Sequence, residues 1–268
     1  MTSDSKSRVG LAALIADRLT RLERLIEPAT RGGRCYVSAI AIAIAPLFAS
    51  YATSTSWHQL LTAVLLAALC LPLAWRDSWR RGIATIGLAF FAHCALAIFL
   101  TARDPAGASA LFPGGEEYWQ KQWTWITTGK DPEYDWANWV PHHCVLFLGT
   151  TAYSFTSLGT LTFFHGFYEV DLMNYYNGRL LMASRDGTRA LLLGWHLWSV
   201  LRGLGYTIIS FETISLAVQF FARRRLAEWR VHVLRFILGA SFLVADGIVK
   251  AGLLESVRRQ LLENLLVP

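Results

Sequence analysis

Two adjacent imidazoles, His142 and His143, follow the carboxylates Glu133 and Asp135 in one short stretch of the chain. Imidazole nitrogen with carboxylate oxygen is a ligand set for a divalent transition metal, and equally a set for general acid–base work. These four residues are the candidate catalytic groups, and His142 and His143 the candidate metal ligands. Neighbouring positions at a helix start point in different directions, so the same pattern also suits contact with lipid headgroups.

Around them, Trp119, Trp123, Trp125, Trp136 and Trp139 fall with Tyr118 and Tyr134 within 22 residues, which is five of the eleven tryptophans. Rings with an apolar body and a polar edge gather at the headgroup level of a membrane. The alternative is an aromatic platform, built from Trp119, Trp123, Trp136 and Trp139, for an amphiphilic ligand. Pro113-Gly114-Gly115 and Asp131-Pro132 are turn signals that would fold this stretch into a cap.

Further along, Thr150, Ser154, Ser157 and His165 share one helical face with His143, a hydroxyl-rich stripe with a histidine at each end. Such a stripe lines a polar pathway or serves close helix packing. His93, Arg202 and Glu212 interrupt otherwise apolar runs. An ionisable group deep in a span costs at least about 2.5 kcal/mol, so Arg202 and Glu212 each require compensation. His93 reads as a hydrogen-bonded core histidine. His165 and Glu169, spaced i, i+4, with Arg179 further on, suit a polar segment that docks a partner. His165-Gly166 followed by Glu169 resembles the H-G-x-x-E stretch of stage II sporulation protein M-like membrane proteins. The likeness covers those three positions and carries no site over to this chain.

The elements that must position these groups follow from composition. Of 268 residues, 54% are hydrophobic and 16% charged, with a mean hydropathy of +0.35, whereas soluble domains carry about 25% charged residues. Apolar runs at 36–54, 59–75, 82–101, 143–164 and 231–250 are long enough to cross a hydrocarbon core as helices, and a sixth covers 190–221. The expected fold is an all-α integral membrane protein of about six spans, with amphipathic interfacial helices at both termini. Arg202-Gly203-Leu204-Gly205 makes 190–221 either one long helix or a re-entrant hairpin.

The expected organisation is a cytoplasmic amphipathic segment (1–34), three spans (35–101), a Trp-rich extracytoplasmic loop (102–142) and the C-terminal spans (143–250). The last of these carry a cytoplasmic segment at 165–189, and an amphipathic tail (251–268) follows. Basic residues before the first span and at 76–81 place the N-terminus in the cytoplasm of a cell membrane, and the first span is expected to stay as an anchor. Arg223, Arg224, Arg225 and Arg230 then fall on the wrong side.

The net charge of +6 sits beside hydrophobic blocks, which points to anionic lipids rather than nucleic acid. The expected partners are the bilayer and a membrane-protein subunit or second copy. Cys35, Cys70, Cys94 and Cys144 have no metal-binding spacing. No sequence motif names a cofactor or an enzyme class. The expected function is a non-catalytic or transport-type membrane subunit; the alternative is a membrane-embedded enzyme acting on a lipid-linked substrate beneath the Trp-rich loop.

Overall fold

The computed structural model describes residues 17–18, 20–21, 24–130, 136–223 and 229–266. Among them the helices run α1 (Arg34–Thr53), α2 (His58–Trp75), α3 (Trp79–Arg103), α4 (Pro105–Leu111), α5 (Gly115–Thr128), α6 (Trp136–Ser157), α7 (Thr160–Ala183), α8 (Gly187–Gly194), α9 (Leu197–Val218) and α10 (Trp229–Asn264). A π-helical turn, Gln219–Arg223, extends α9. No strand occurs among the described residues beyond one bridge, Ser184 to Leu265.

Five of these helices, α1, α2, α3, α9 with its π turn, and α10, are long and apolar enough to cross a membrane. The chain is a multi-pass, all-α membrane protein. In lipid every backbone polar group must be satisfied within the chain, which helices achieve locally.

The two ends of the bundle differ. Arg34, the 76–81 turn and the end of α9 gather at one end, where Arg31 and Arg76 both meet Glu27. At the other, α4 and α5 pack Phe112, Trp119, Trp125 and Ile126 over Tyr175, Tyr176 and Trp198. Asp104 starts this cap by accepting the Gly107 N–H at 3.0 Å and the Tyr51 hydroxyl at 3.0 Å, tying it to α1. Residues 102–130 are therefore two packed helices, with the Trp119 and Trp125 rings turned inward.

The C-terminal half departs from expectation in three places, and in a fourth it decides between two expected alternatives. The 143–164 run is not one span, because Leu158 and Gly159 turn the chain with φ of 53° and 93° between α6 and α7. Residues 165–183 are not a separate polar segment. They lie in α7, a helix about 36 Å long that runs parallel to α3 and buries Phe167, Asp171, Asn174, Tyr175 and Tyr176. Its residues Asp171, Asn174 and Asn177 face other helices, which is why hydropathy alone conceals it.

Arg202-Gly203-Leu204-Gly205 sits inside the continuous helix α9. Gly205 and Gly239 let α9 and α10 cross closely: a Cβ on Gly205 would lie 2.9 Å from the Gly239 carbonyl oxygen. With α7 running the bundle's length, the end of α9 returns to the start of α3, where the Phe211 ring lies against Gly82.

Finally, 251–264 continues α10 without a break and buries Leu254 and Leu261 beneath α5. Asn264 exchanges side-chain hydrogen bonds with the Asp186 backbone at 3.1 and 2.9 Å, pinning the tail to the turn before α8.

Candidate functional site: a buried two-histidine, one-aspartate centre

Three helices meet at one carboxylate. His58 opens α2 at the capped end, His93 lies within α3, and Asp171 lies within α7. Close approach of α3 and α7 sets the meeting, and Gly178 permits it: a Cβ there would lie 2.5 Å from Thr101 Cβ and 3.0 Å from the Ile98 carbonyl oxygen.

Asp171 Oδ2 accepts from His58 Nε2 at 2.9 Å and from Gln59 Nε2 at 2.7 Å, while Oδ1 accepts from His93 Nε2 at 2.6 Å. All four side chains are buried. The imidazoles stack with ring centres 5.7 Å apart; Phe112 of the cap meets His58 edge-on, and Phe167 lies 4.8 Å from His93. The centre is thus walled by aromatic rings.

Two features make it chemically unusual. It has no permanent counter-charge: one carboxylate is met by two imidazoles and an amide, and no Lys or Arg among the described residues contacts Asp171. A buried anion without a counter-charge is expensive in a low-dielectric interior. In addition, the Nδ1 atoms of both histidines are buried without a hydrogen-bond partner. Nothing on the far side of either ring fixes the tautomer. Each ring can present Nε2–H to the carboxylate or an Nε2 lone pair to a cation.

The donor set fits a metal. One ligand atom each from His58, His93 and Asp171 all lie within 4.8 Å of one another. Donors around a tetrahedral Zn²⁺-class ion stand roughly 3.3 Å apart, given bonds of about 2.0–2.2 Å. Side-chain adjustment of about an ångström would open the hydrogen-bonded cluster around an ion. Two imidazoles favour a first-row transition metal over Mg²⁺ or Ca²⁺.

Of the residues singled out by sequence, only His93 belongs to this centre. Glu133 and Asp135 lie outside the described residues, as do the side chains of His142, Trp136 and Trp139; His143 is half-buried about two turns into α6. Trp119 is buried against Tyr176, with the Arg179 guanidinium 5.4 Å from its ring centre, and Trp123 packs beside it. The stripe on α6 divides: Ser154 donates to Thr162 at 2.8 Å and Thr162 donates to the Thr150 carbonyl, whereas half-buried Ser157 donates to the Tyr153 carbonyl of its own helix. Its inner part joins α6 to α7.

His165 and Glu169 form an exposed pair at 4.0 Å, whereas Arg179 turns to Glu116 and Tyr175 in the capped end. Arg202 is compensated by Asp246, at 2.8 and 3.3 Å, and Glu212 by His232 and Arg235.

Sequence reasoning missed His58, Gln59 and Asp171 as a set. His58 and Gln59 begin an apolar run, and Asp171 lies in a polar stretch that reads as surface. A shared face for His58 and Gln59 with His93 and Asp171 appears only when three helices are assembled.

No family model, no curated protein and no solved structure matches the chain.

Proposed function

We propose that the protein is a transport-type, multi-pass membrane component whose working part is a transition-metal site formed by His58, His93 and Asp171. One observation carries the reading: three buried ligand atoms within 4.8 Å of one another, from three different helices, with no balancing cation side chain among the described residues. A divalent ion would supply the missing positive charge. Gln59, already on the carboxylate, would orient it.

Gathering of Arg31, Arg76, Arg80 and Arg81 at the opposite end supports a cytoplasmic position for that end, with contacts to anionic lipid, and an extracytoplasmic position for the cap. In that orientation the metal site lies nearer the outer face, beneath α4 and α5. A second reading, an enzyme acting on an amphiphilic substrate, is favoured by the ligand count. Three protein donors leave a coordination position open for water or substrate, as in catalytic zinc sites.

The test is metal content and Co²⁺ titration of the full chain in detergent or nanodiscs. About one equivalent of metal is expected, with a Co²⁺ visible band that is lost in H93A and in D171N. A wild-type chain that purifies without metal and gives no Co²⁺ band overturns the proposal. Uptake of the same ion into proteoliposomes supports transport; a tightly held ion that never crosses favours the enzyme.

A further inference from the structure

A second buried cluster lies toward the basic end, on helices that do not contribute to the metal centre. Glu212 is fully buried on α9, and His232 is buried on α10. His232 Nδ1 is hydrogen-bonded to Glu212 Oε1, and His232 Nε2 lies 3.0 Å from Gln219 Nε2. Gln219 opens the π-helical turn, a local widening of the helix that recurs at functional positions. Arg235 lies 3.5 Å from Glu212 Oε2 and 3.1 Å from Asp77 Oδ1, with its guanidinium 5.3 Å from the Trp79 ring centre. Asp77 is 55% exposed, so one ion pair separates the buried pair from solvent.

We infer that Glu212, His232 and Gln219 form a proton-binding site that loads from the basic end of the bundle. The inference stands on its own geometry and does not require the metal site.

Charge supplies the first argument. With His232 neutral, buried Glu212 shares the single guanidinium of Arg235 with Asp77 and sits 3.5 Å from it, against 3.1 Å for Asp77, so Glu212 has less than a full counter-charge. A proton on His232 would supply the rest. The second argument is the hydrogen-bond inventory. With neutral His232, Nδ1–H donates to Glu212 and Nε2 accepts from the Gln219 amide, while Gln219 Oε1 is buried without a partner. When His232 takes a proton, Nε2 becomes a donor, and a half-turn of the Gln219 amide brings that orphan oxygen round to accept. His232 therefore finds a partner for both ring nitrogens in either protonation state within one frame.

The surroundings leave few competing charges. Arg235 on α10 and, through it, Asp77 before α3 are the charged groups that meet the pair among the described residues. α2, α3 and α7 meet this part of α9 through an apolar cluster that includes Cys70, Leu73, Ile86 and Phe163, and α6 meets the π turn through Phe155 against Phe220 and Phe221.

Histidine-selective ¹⁵N NMR of the full chain in nanodiscs tests this, the chain having seven histidines and H232N identifying the resonance. A His232 resonance that changes with pH is expected. E212Q lowers the midpoint by at least about one unit, because it removes the favouring carboxylate, and R235M raises it, because it removes the opposing cation. D171N leaves it unchanged. A His232 resonance constant from pH 4 to 9 overturns the site, as does a shift of the same sign in E212Q and R235M. A His232 that follows D171N overturns its independence, whereas loss of Co²⁺ binding with His232 titration intact would sink the metal reading alone.

Discussion

The two buried clusters differ in what answers their carboxylates. At the capped end, Asp171 takes hydrogen bonds from His58, Gln59 and His93, groups that carry no permanent charge. At the basic end, Glu212 faces His232 and the permanent cation Arg235, which is shared with the exposed Asp77. The first cluster is sealed and short of positive charge. The second is buffered through a guanidinium that solvent can reach. Identical truncations should therefore cost different amounts.

D171A strands three buried donors, and each costs about 1–3 kcal/mol when left unsatisfied. E212A strands one, His232 Nδ1–H, since Arg235 keeps Asp77. Thermal unfolding in detergent should show D171A losing more than about 3 kcal/mol of stability, or failing to accumulate, and E212A losing about 1–3 kcal/mol. Equal losses would mean that Arg235 does not buffer the second cluster, and the contrast would collapse.

The sequence shows this contrast only in fragments. Blocks of apolar residues are local, so the membrane class and the spans at α1, α2, α3 and α10 are read directly from them. Glu212 and Arg202 stand out for the same reason, each being a lone charge in an apolar run that must find a partner. The partners are not legible, because His232 and Asp246 lie on a different helix, and the sequence encodes no crossing point in plain form. Asp171 is harder still. Its neighbours Glu169, Asn174 and Asn177 give α7 the composition of a surface segment, yet Asn174 and Asn177 are buried and only Glu169 looks outward. Polar residues that face other helices lower hydropathy as much as residues that face water.

The capped-end cluster also depends on a close approach of α3 and α7, separate from the Gly205–Gly239 crossing of α9 and α10 beside the basic-end cluster. Adding one methyl at Gly178 places a Cβ 2.5 Å from Thr101 Cβ, forcing α7 away from α3 about two turns beyond Asp171. G178A should lose about 1–3 kcal/mol, the usual range for overpacking a tight contact. It should also weaken Co²⁺ binding while leaving the His232 titration in place. Adding T101G, which removes the obstructing side chain, should recover part of the Co²⁺ affinity. A G178A chain with wild-type Co²⁺ affinity would show that the metal site tolerates a wider α3–α7 spacing than its hydrogen bonds imply.

The smallest effect belongs to the cap. Asp171, Tyr175 and Arg179 follow one another at i, i+4 and i+8 on α7, so the face that carries the centre also carries the cap's fastening. Glu116 on α5 accepts from Tyr175 Oη at 2.8 Å and pairs with Arg179. Partial burial pushes the Glu116 carboxyl upward, but hydrogen bonds from Gln120 and Tyr175 and the Arg179 guanidinium outweigh it and hold it below its ordinary 4.5.

A depressed folded pKa stabilises the protein above the unfolded value, and the contribution disappears as pH falls through the folded value. Because Glu116 is 48% exposed, solvent and salt limit the pair to no more than about 1 kcal/mol. Melting temperature should therefore fall more steeply in the wild type than in E116Q as pH drops below the ordinary 4.5. The two curves should converge at the acid end, with E116Q the less stable at neutral pH. Parallel curves across that window would show that the fastening contributes nothing, leaving Asp104 and the inward tryptophans to hold the cap.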